Sequence, residues 1–251
     1  MPNHMTALGF PVTTEQDFRH YVYQTSEFGE KIETPNGSYT LWTPGNGIEL
    51  WVQTNLHRRL LGMNPHFSGQ ASMRAHLTAR ILRPQDTPLD GAFHAWANPT
   101  SDDPESGLFP FVFDSPDYDR HNELQLPHLA RVQIAAFAHQ LKGFASEEEY
   151  MNSQGSGIKF ASESFIPSGL FTPGPQGKNK KPPQAQAIFS GRVIATQRLT
   201  NPVTNQKFYW AQVHVLGGEI DIVADPQVVE GKVVEDGIVS GTFWLSGRLL
   251  D

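Results

Sequence analysis

Four strand-like segments at the C-terminal end of the chain limit most strongly what it can fold into. They read AIFSGRVIATQRL, KFYWAQVHVL, EIDIVAD and GIVSGTFWLSGRLL, and turn residues separate them. One face of the last segment holds Val239, Phe243, Leu245 and Leu249 together with Gly241 and Gly247. Glycines on such a face give a tightly curved strand the room that it needs. These segments predict a small closed β-barrel over residues 185–251, similar in architecture to the oligonucleotide/oligosaccharide-binding (OB) barrels.

The segment TPGPQGKNKKPPQ, residues 172–184, is the clearest boundary in the sequence. Its prolines, glycines and polar residues favour a linker or a long exposed loop over a packed element. Lys178, Lys180 and Lys181 within it have two interpretations, a small docking spot or an ordinary solvated loop. The glycine spacing does not match that of a phosphate-binding loop. We therefore expect a domain at 1–171, a linker at 172–184 and a second domain at 185–251.

The N-terminal part, residues 1–171, carries both helix and strand patterns. TTEQDFRHYVYQ begins with a helix-capping pattern, and LARVQIAAFAHQLKG predicts a second helix that ends at Gly143. SYTLWTPGNGIELWVQT predicts a β-hairpin, and ASMRAHLTARILR alternates apolar and polar residues as a half-buried strand does. The predicted fold class is therefore α+β, a mixed N-terminal α+β domain followed by a C-terminal β-barrel domain.

Composition disfavours several classes of function. The 251 residues include no cysteine, which rules out disulfides and thiol nucleophiles. The formal net charge of −7 disfavours nucleic acid as a partner, because phosphates are neutralised by clustered lysines and arginines. No apolar run of about 18 residues occurs, so we expect no membrane association and a cytoplasmic protein. The expected partner is a small molecule or a protein of unknown identity.

The sequence predicts no metal site and names no cofactor. Its ten histidines show none of the spacings typical of zinc sites. The acidic segment DSPDYDRHNE lacks the glycine and the spaced glutamate of a calcium loop. A turn rich in side-chain caps explains that segment better.

The segment FYWAQVHVLGGEIDIVADP concentrates ionisable side chains. If Gly217 and Gly218 form a two-residue turn, His214 lies opposite Asp221 across the hairpin. The candidates on that face are His214, Asp221 and Glu219 for catalysis, with Trp210 and Asp225 for ligand binding. Two interpretations stay open: half of a general-base arrangement, or a surface ion pair of the kind common in sheets.

Trp42, Glu49 and Trp51 form a second candidate, for ligand binding, in the first predicted hairpin. A register that pairs Leu41 with an aliphatic residue of the next strand places all three on one face. Two tryptophans beside a carboxylate can stack a sugar or another flat ligand. The alternative is that a second layer of the domain covers them.

The third candidate is the polar face of the strictly alternating strand, with Arg74, His76 and Arg80. The next strand-like segment, GAFHAWANP, places His94 and Trp96 on one side. If the two strands pair, arginine side chains and an aromatic wall could bind an anion or a carboxylate. The alternative is a solvated face.

Several segments together resemble a widespread family of bacterial proteins that have no assigned activity. They are ELWVQTN, DGAFHAWANP, FPFVFDSPDY, FASESFIPSGLF, GGEIDIVADP and GTFWLSGRL. The likeness spans nearly the whole chain and implies that the parts on either side of the linker normally occur together. It implies no catalytic residue and no substrate.

Three functions are compatible with these features. The preferred one is a binding protein that holds a small ligand or a protein partner in a groove between its two parts. The alternative enzyme is a hydrolase or lyase that uses acid–base chemistry at His214 and Asp221, assisted by Glu219. The third possibility is a structural or assembly role.

Overall fold

The computed structural model describes residues 3–157, 159–168 and 182–250 and is built mainly of β-strands. Its elements are α1 (Glu15–Phe28), β1 (Glu30–Thr34), β2 (Gly37–Gly45), β3 (Ile48–Asn55), β4 (Leu60–Phe67), β5 (Met73–Ile81), β6 (Ala92–Ala97), β7 (Pro110–Asp114), β8 (His128–Phe144), α2 (Glu147–Ser153), β9 (Ser164–Pro167), β10 (Gln186–Thr200), β11 (Lys207–Val215), β12 (Gly218–Ala224), β13 (Val229–Gly231) and β14 (Ile238–Leu250). Short 3₁₀ helices occupy Thr6–Leu8, Tyr118–His121 and Pro226–Val228. Across the described ranges, neither α-helix has the length and apolar character needed to cross a membrane.

Strands β1 to β4 form a four-stranded antiparallel sheet, called sheet 1. The predicted first hairpin is confirmed as β2 and β3, which reverse at Asn46 and Gly47. Both residues have positive φ, 52° and 75°, as a tight hairpin turn requires. The predicted first helix is also confirmed as α1. Its N-terminus is held by Thr14 and Asp17, each side chain accepting a hydrogen bond from the backbone of the other.

The ten other strands form sheet 2, which is organised by the long strand β8. One edge of β8 pairs with β14 over almost its whole length. The other edge pairs in succession with β5, β12 and β13. Because β10 also pairs with β11, the strands β8, β12, β11, β10 and β14 close a ring, and β8, β5, β6, β7 and β14 close a second one. The two rings share β8 and β14.

The predicted helix over residues 129–143 is wrong, because this segment is strand β8. Its residues 132–138 are all buried and, apart from Gln133, all apolar, a pattern that a buried helix and a buried strand produce alike. Val132, Ile134 and Ala136 face the core inside sheet 2, whereas Ala135 and Phe137 face a second core against sheet 1. The N-terminal part is accordingly mostly sheet and not the mixed α+β domain that was predicted.

The strands predicted over residues 185–251 are confirmed as β10, β11, β12 and β14. They do not close a ring among themselves, because β8, which precedes residue 172, lies between β12 and β14. Strands from both sides of residues 172–184 therefore belong to one sheet. The likeness to an OB barrel stays a prediction, and most of the predicted linker lies outside the described residues.

A second apolar core joins the two sheets and positions the site. It includes Ile48, Leu50 and Val52 of β3, with Phe137 of β8 and Phe208 of β11. Helix α1 covers this core through Tyr21. Beside it, the space between the sheets is occupied by polar side chains, and there the candidate site lies.

Candidate functional site

A cavity of about 240 Å³ lies where β4 of sheet 1 approaches β7 and β14 of sheet 2. We call it the inter-sheet cavity. Its polar lining includes Asn64 of β4, Arg83 and Asp86 from the segment after β5, Asp90 before β6, Asp114 at the end of β7 and Ser246 of β14. Three carboxylates and one guanidinium thus line one small cavity.

Arg83 and Asp114 form a largely buried ion pair on the wall of the inter-sheet cavity. Arg83 Nη1 lies 2.7 Å from Asp114 Oδ1, and Trp244 Nε1 donates to Asp114 Oδ2 at 2.6 Å. Burial raises the pKa of Asp114, against the opposing effect of the Arg83 charge. The Arg83 side chain is only 8% exposed. Its Nε is buried without a hydrogen-bond partner among the residues described.

Asp90 ties the segment that precedes β6 to sheet 1. Its Oδ1 accepts hydrogen bonds from Gln53 Nε2 at 2.8 Å and Asn64 Nδ2 at 3.0 Å. Its Oδ2 accepts from the backbone and the hydroxyl of Thr87. Asp86 holds its own segment in place, because its Oδ2 accepts a hydrogen bond from the backbone N–H of Arg83 at 2.8 Å. These bonds fix the carboxylates that line the cavity.

A chain of buried side chains leads away from Ser246. Ser246 Oγ lies 2.8 Å from His66 Nδ1, and His66 Nε2 lies 2.8 Å from Gln133 Oε1. Gln133 Nε2 donates in turn to Asp221 Oδ2 at 2.9 Å. Relative exposures are 1% for Ser246, 0% for His66 and Asp221, and 4% for Gln133. The four residues come from β14, β4, β8 and β12, so both sheets contribute.

The carboxylate of Asp221, at the end of this series of side chains, determines the direction of the hydrogen bonds along it. Asp221 accepts from the Gln133 amide nitrogen, which leaves Gln133 Oε1 as the acceptor facing His66. Burial lowers the pKa of His66, so its imidazole is neutral at neutral pH. A neutral imidazole carries one proton, which must be on Nε2 to donate to Gln133. Nδ1 is therefore an acceptor, and the Ser246 hydroxyl donates to it.

Successive side chains of β14 point to opposite faces of the strand, so the strand contacts both the apolar core inside sheet 2 and the polar region between the sheets. Phe243 and Leu245 point into the core inside sheet 2, and Trp244, Ser246 and Arg248 point to the other side. Ser246 stands at the single position where β14 pairs with β7, opposite Asp114. This junction places the serine at the wall of the inter-sheet cavity.

Arg248 anchors a second buried group next to His66. Its Nη1 lies 2.9 Å from Glu49 Oε1, and its Nε lies 3.5 Å from Asp117 Oδ2. Burial alone would raise the pKa of Asp117, but the His121 imidazole, whose Nε2 lies 3.5 Å from Asp117 Oδ1, and the charge of Arg248 hold that pKa at about 2. Arg248 thus pairs with two buried carboxylates, those of Glu49 and Asp117.

The predicted pairing of His214 with Asp221 is wrong. The turn lies at Leu216 and Gly217, one residue earlier than predicted, so His214 pairs with Glu219 and Asp221 pairs with Gln212. This shift moves each partner by two positions and leaves every side chain on its predicted face. The aliphatic face is confirmed as buried core.

The polar face of that hairpin divides into an exposed and a buried part. His214 is exposed, and its Nε2 lies 3.8 Å from Glu163. Asp221 is fully buried and accepts from Trp210 Nε1 at 2.9 Å as well as from Gln133. The proposed cluster of His214, Asp221 and Glu219 is therefore not assembled. Asp225 instead accepts from the backbone of Gln227 at the start of a 3₁₀ helix.

The second candidate, with Trp42, Glu49 and Trp51, is also divided. Leu41 pairs with Trp51 and not with an aliphatic residue, so Trp42 lies on the opposite face from Trp51. Trp51 is fully buried and donates from Nε1 to Glu49 Oε2 at 2.9 Å. Buried packing, the alternative interpretation, describes Glu49 and Trp51.

In the third candidate the predicted pairing of the two strands is confirmed, because β5 pairs with β6 and His76 lies opposite Trp96. A β-bulge after Leu77 interrupts the alternation. Arg80 therefore shares the face of Phe93, and its guanidinium lies 5.3 Å from that ring.

The side chains on β5 and β6 accordingly do not form one anion site. Arg74 is exposed and His76 is buried. Arg80 instead donates to backbone carbonyls between His121 and Leu124. His94 is hydrogen-bonded to Thr78.

Sequence reasoning missed the residues of the inter-sheet cavity and, apart from Asp221, the residues of the hydrogen-bonded chain behind it. A signal was present, because Glu49, Trp51 and Gln53 on β3, and Asn64 and His66 on β4, put polar side chains at alternate positions of apolar strands. Ser246 and Arg248 do the same on β14. Such a pattern marks a strand with one polar face, but it does not show that the polar face is buried.

No protein-family model, no curated protein and no solved structure matches this chain. The resemblance to bacterial proteins of unassigned activity stays a prediction. In the part of the chain that the structure describes, no group of three or more histidine, aspartate or glutamate side chains is arranged to hold a metal ion.

Proposed function

We propose that the protein binds a small polar molecule in the inter-sheet cavity. The observation that carries the proposal is the lining of this cavity, in which the guanidinium of Arg83 meets the carboxylates of Asp86, Asp90 and Asp114. Charged groups that line a small cavity are stabilised by polar partners, so this lining suits a polar ligand better than an apolar one.

The lining indicates the chemistry of the ligand. Asp86, Asp90 and Asp114 accept hydrogen bonds, and Arg83 donates them. With three carboxylates against one guanidinium, the cavity favours a molecule that brings hydroxyl or amine donors together with an oxygen acceptor. A volume of about 240 Å³ is below the range of typical drug-sized pockets. We therefore expect a single small unit such as an amino sugar or an amino alcohol.

Isothermal titration calorimetry with a panel of monosaccharides, amino sugars, amino alcohols and small dicarboxylates tests this function. We expect an amine-bearing polyol to bind with one molecule per chain and the dicarboxylates not to bind. Asp86→Asn should weaken binding about tenfold, equivalent to about 1.4 kcal/mol, because it removes one charged acceptor. The amide oxygen can still accept from the backbone of Arg83, so the fold should persist.

The matched control is Asp102→Asn, the same chemical change at an exposed residue outside the cavity. It should leave the dissociation constant unchanged. A second variant, Gln85→Trp, places a large side chain at an exposed position of the cavity lining and should block entry. Binding that neither Asp86→Asn nor Gln85→Trp affects would place the ligand elsewhere and refute the proposal.

The alternative hydrolase or lyase at His214, Asp221 and Glu219 has no support in the geometry. Its histidine is exposed, and its aspartate is buried under other partners. A structural or assembly role stays an untested alternative.

A further inference from the structure

We infer that Ser246 is a nucleophile activated by His66 and that the inter-sheet cavity is a site of acyl transfer. The inference rests on the proposed function, since the substrate would be an acyl ester of the small polar molecule that the cavity binds. It adds a reaction, a nucleophile and a general base to that function.

The first step is the orientation of the hydroxyl. Ser246 Oγ donates to His66 Nδ1 at 2.8 Å, the distance and direction that a general base needs to remove a serine proton. The opposite nitrogen of the same ring donates to Gln133 Oε1. A serine, an imidazole and a group that orients the imidazole are the three parts of a nucleophilic triad. In this protein the amide of Gln133 takes the third position, and the carboxylate of Asp221 lies behind it.

The second step is the rigidity of the orienting group. Asp221 fixes Gln133 and is itself fixed by the backbone N–H of Ala71 at 3.0 Å and by Trp210 Nε1 at 2.9 Å. Gln133 therefore cannot turn its amide without breaking the bond to Asp221. This arrangement holds the proton on His66 Nε2 and leaves Nδ1 free to accept from the serine.

The third step is access. Ser246 belongs to the lining of the inter-sheet cavity, although only 1% of its surface is exposed. Arg83 lines the same cavity, and the positive charge of its guanidinium can stabilise an oxygen that gains negative charge there. The nucleophile and a positively charged side chain thus line one cavity, and the base is buried directly behind the nucleophile.

The chemistry balances with water as the co-reactant. Ser246 Oγ forms a bond to the carbonyl carbon of the ester while its proton moves to His66 Nδ1. The ester C–O bond then breaks, and the departing alcohol takes the proton from His66. Water repeats the sequence, releasing the carboxylic acid and restoring the Ser246 hydroxyl.

Phenylmethanesulfonyl fluoride is a suitable probe, because it is a small electrophile that reports an activated serine. Its sulfur bonds to the serine oxygen, and fluoride leaves with the proton. We expect intact-mass spectrometry of the full chain to show one adduct per molecule and peptide mapping to place it on Ser246. The map of the unmodified sequence gives this answer even if a variant fails to fold.

Three variants complete the test. Ser246→Ala should abolish labelling, and His66→Gln should slow it by about 10²–10⁴-fold. Ser26→Ala is the matched control, because Ser26 is an exposed serine of helix α1 outside the cavity, and its hydroxyl donates to the backbone carbonyl of Val22 and not to an imidazole. It should be labelled at the rate of the unmodified protein. A thermal melt of each variant establishes that it is folded.

An adduct on another residue, no adduct on the folded protein, or an unchanged rate in His66→Gln would overturn the inference. Calorimetry separates it from the binding function on which it rests. An amino sugar that binds to a protein without labelling at Ser246 leaves the binding function standing and refutes the nucleophile. Labelling at Ser246 without such binding supports the nucleophile and refutes the proposed ligand class.

Discussion

A Cβ atom at Gly69 would overlap the carboxylate of Asp221, so the close approach of these two residues depends on glycine. The approach lets Asp221 accept from the backbone N–H groups of Gln70 and Ala71, the two residues after Gly69. We predict that Gly69→Ala displaces the carboxylate and leaves buried donors without an acceptor. The expected loss is about 2–4 kcal/mol in the free energy of unfolding, measured by urea denaturation.

Gly157→Ala is the control for that substitution. A Cβ at Gly157 meets no atom within 4 Å, so the change adds a methyl group in open space. Its unfolding free energy should differ from that of the unmodified protein by less than about 1 kcal/mol. Equal stabilities for the two variants would contradict the importance of the Gly69 contact.

The bonds of His66 to Ser246 and Gln133 predict a coupled pair in a double-mutant cycle. His66→Leu removes the acceptor for the Ser246 hydroxyl and the donor for Gln133, which should cost about 2–5 kcal/mol. Ser246→Ala should cost less, and the double variant should lose less than the sum of the two. The expected interaction free energy is about 0.5–3 kcal/mol by urea denaturation, and additivity within error would show that the contact contributes nothing.

Periodicity in the sequence was enough to predict most strands and the apolar face of the β11–β12 hairpin. It was not enough to predict β8, because both faces of that strand are buried and its apolar run has no period of two. The predicted turn of this hairpin was placed one residue too late, because either Leu216-Gly217 or Gly217-Gly218 can form the turn. A choice between them depends on contacts outside the hairpin.

The candidate site was hidden for a different reason. Its central contact joins His66 and Ser246, which are 180 residues apart. Neither residue stands in a short motif that marks a nucleophile, and each looks like a polar residue on an ordinary half-exposed strand. Only the packing of sheet 1 on sheet 2 buries both and brings them together.

His4 predicts a dependence of stability on pH. Its ring stacks on Trp244 at 4.0 Å, and burial, with a smaller effect of the His139 charge, lowers its pKa from 6.5 to about 4. The folded state therefore binds fewer protons than the unfolded state between these two values. The stabilisation by the neutral His4 ring is complete above pH 6.5 and is lost as the pH falls towards about 4. The free energy of unfolding should fall by at most about 1.4 kcal/mol per pH unit in this range.

His4→Phe tests this dependence, because phenylalanine keeps an aromatic ring on Trp244 and cannot titrate. Urea denaturation at a series of pH values should give a shallower slope for the variant between pH 6.5 and about 4. His66 keeps part of the slope, since its pKa is also lowered by burial. Identical slopes for the variant and the unmodified protein would show that His4 does not contribute.

Asp117 should also make the stability depend on pH, at lower pH values than His4 does and for a different reason. Its pKa is held at about 2, against an ordinary value of 3.8, by His121, Arg248 and the hydroxyl of Ser115. Since the folded-state pKa is the lower one, the stabilisation is complete above pH 3.8 and is lost as the pH falls towards about 2.

Asp117→Asn should therefore destabilise the protein by about 2–5 kcal/mol at neutral pH, because the variant leaves Arg248 with one charged partner fewer in the interior. Its unfolding free energy should also fall less steeply than that of the unmodified protein below pH 3.8. Asp102→Asn, at an exposed position, is the matched control and should leave the neutral-pH stability within about 0.5 kcal/mol. If Asp117→Asn unfolds with the same acid dependence as the unmodified protein, the charge on Asp117 does not stabilise the fold.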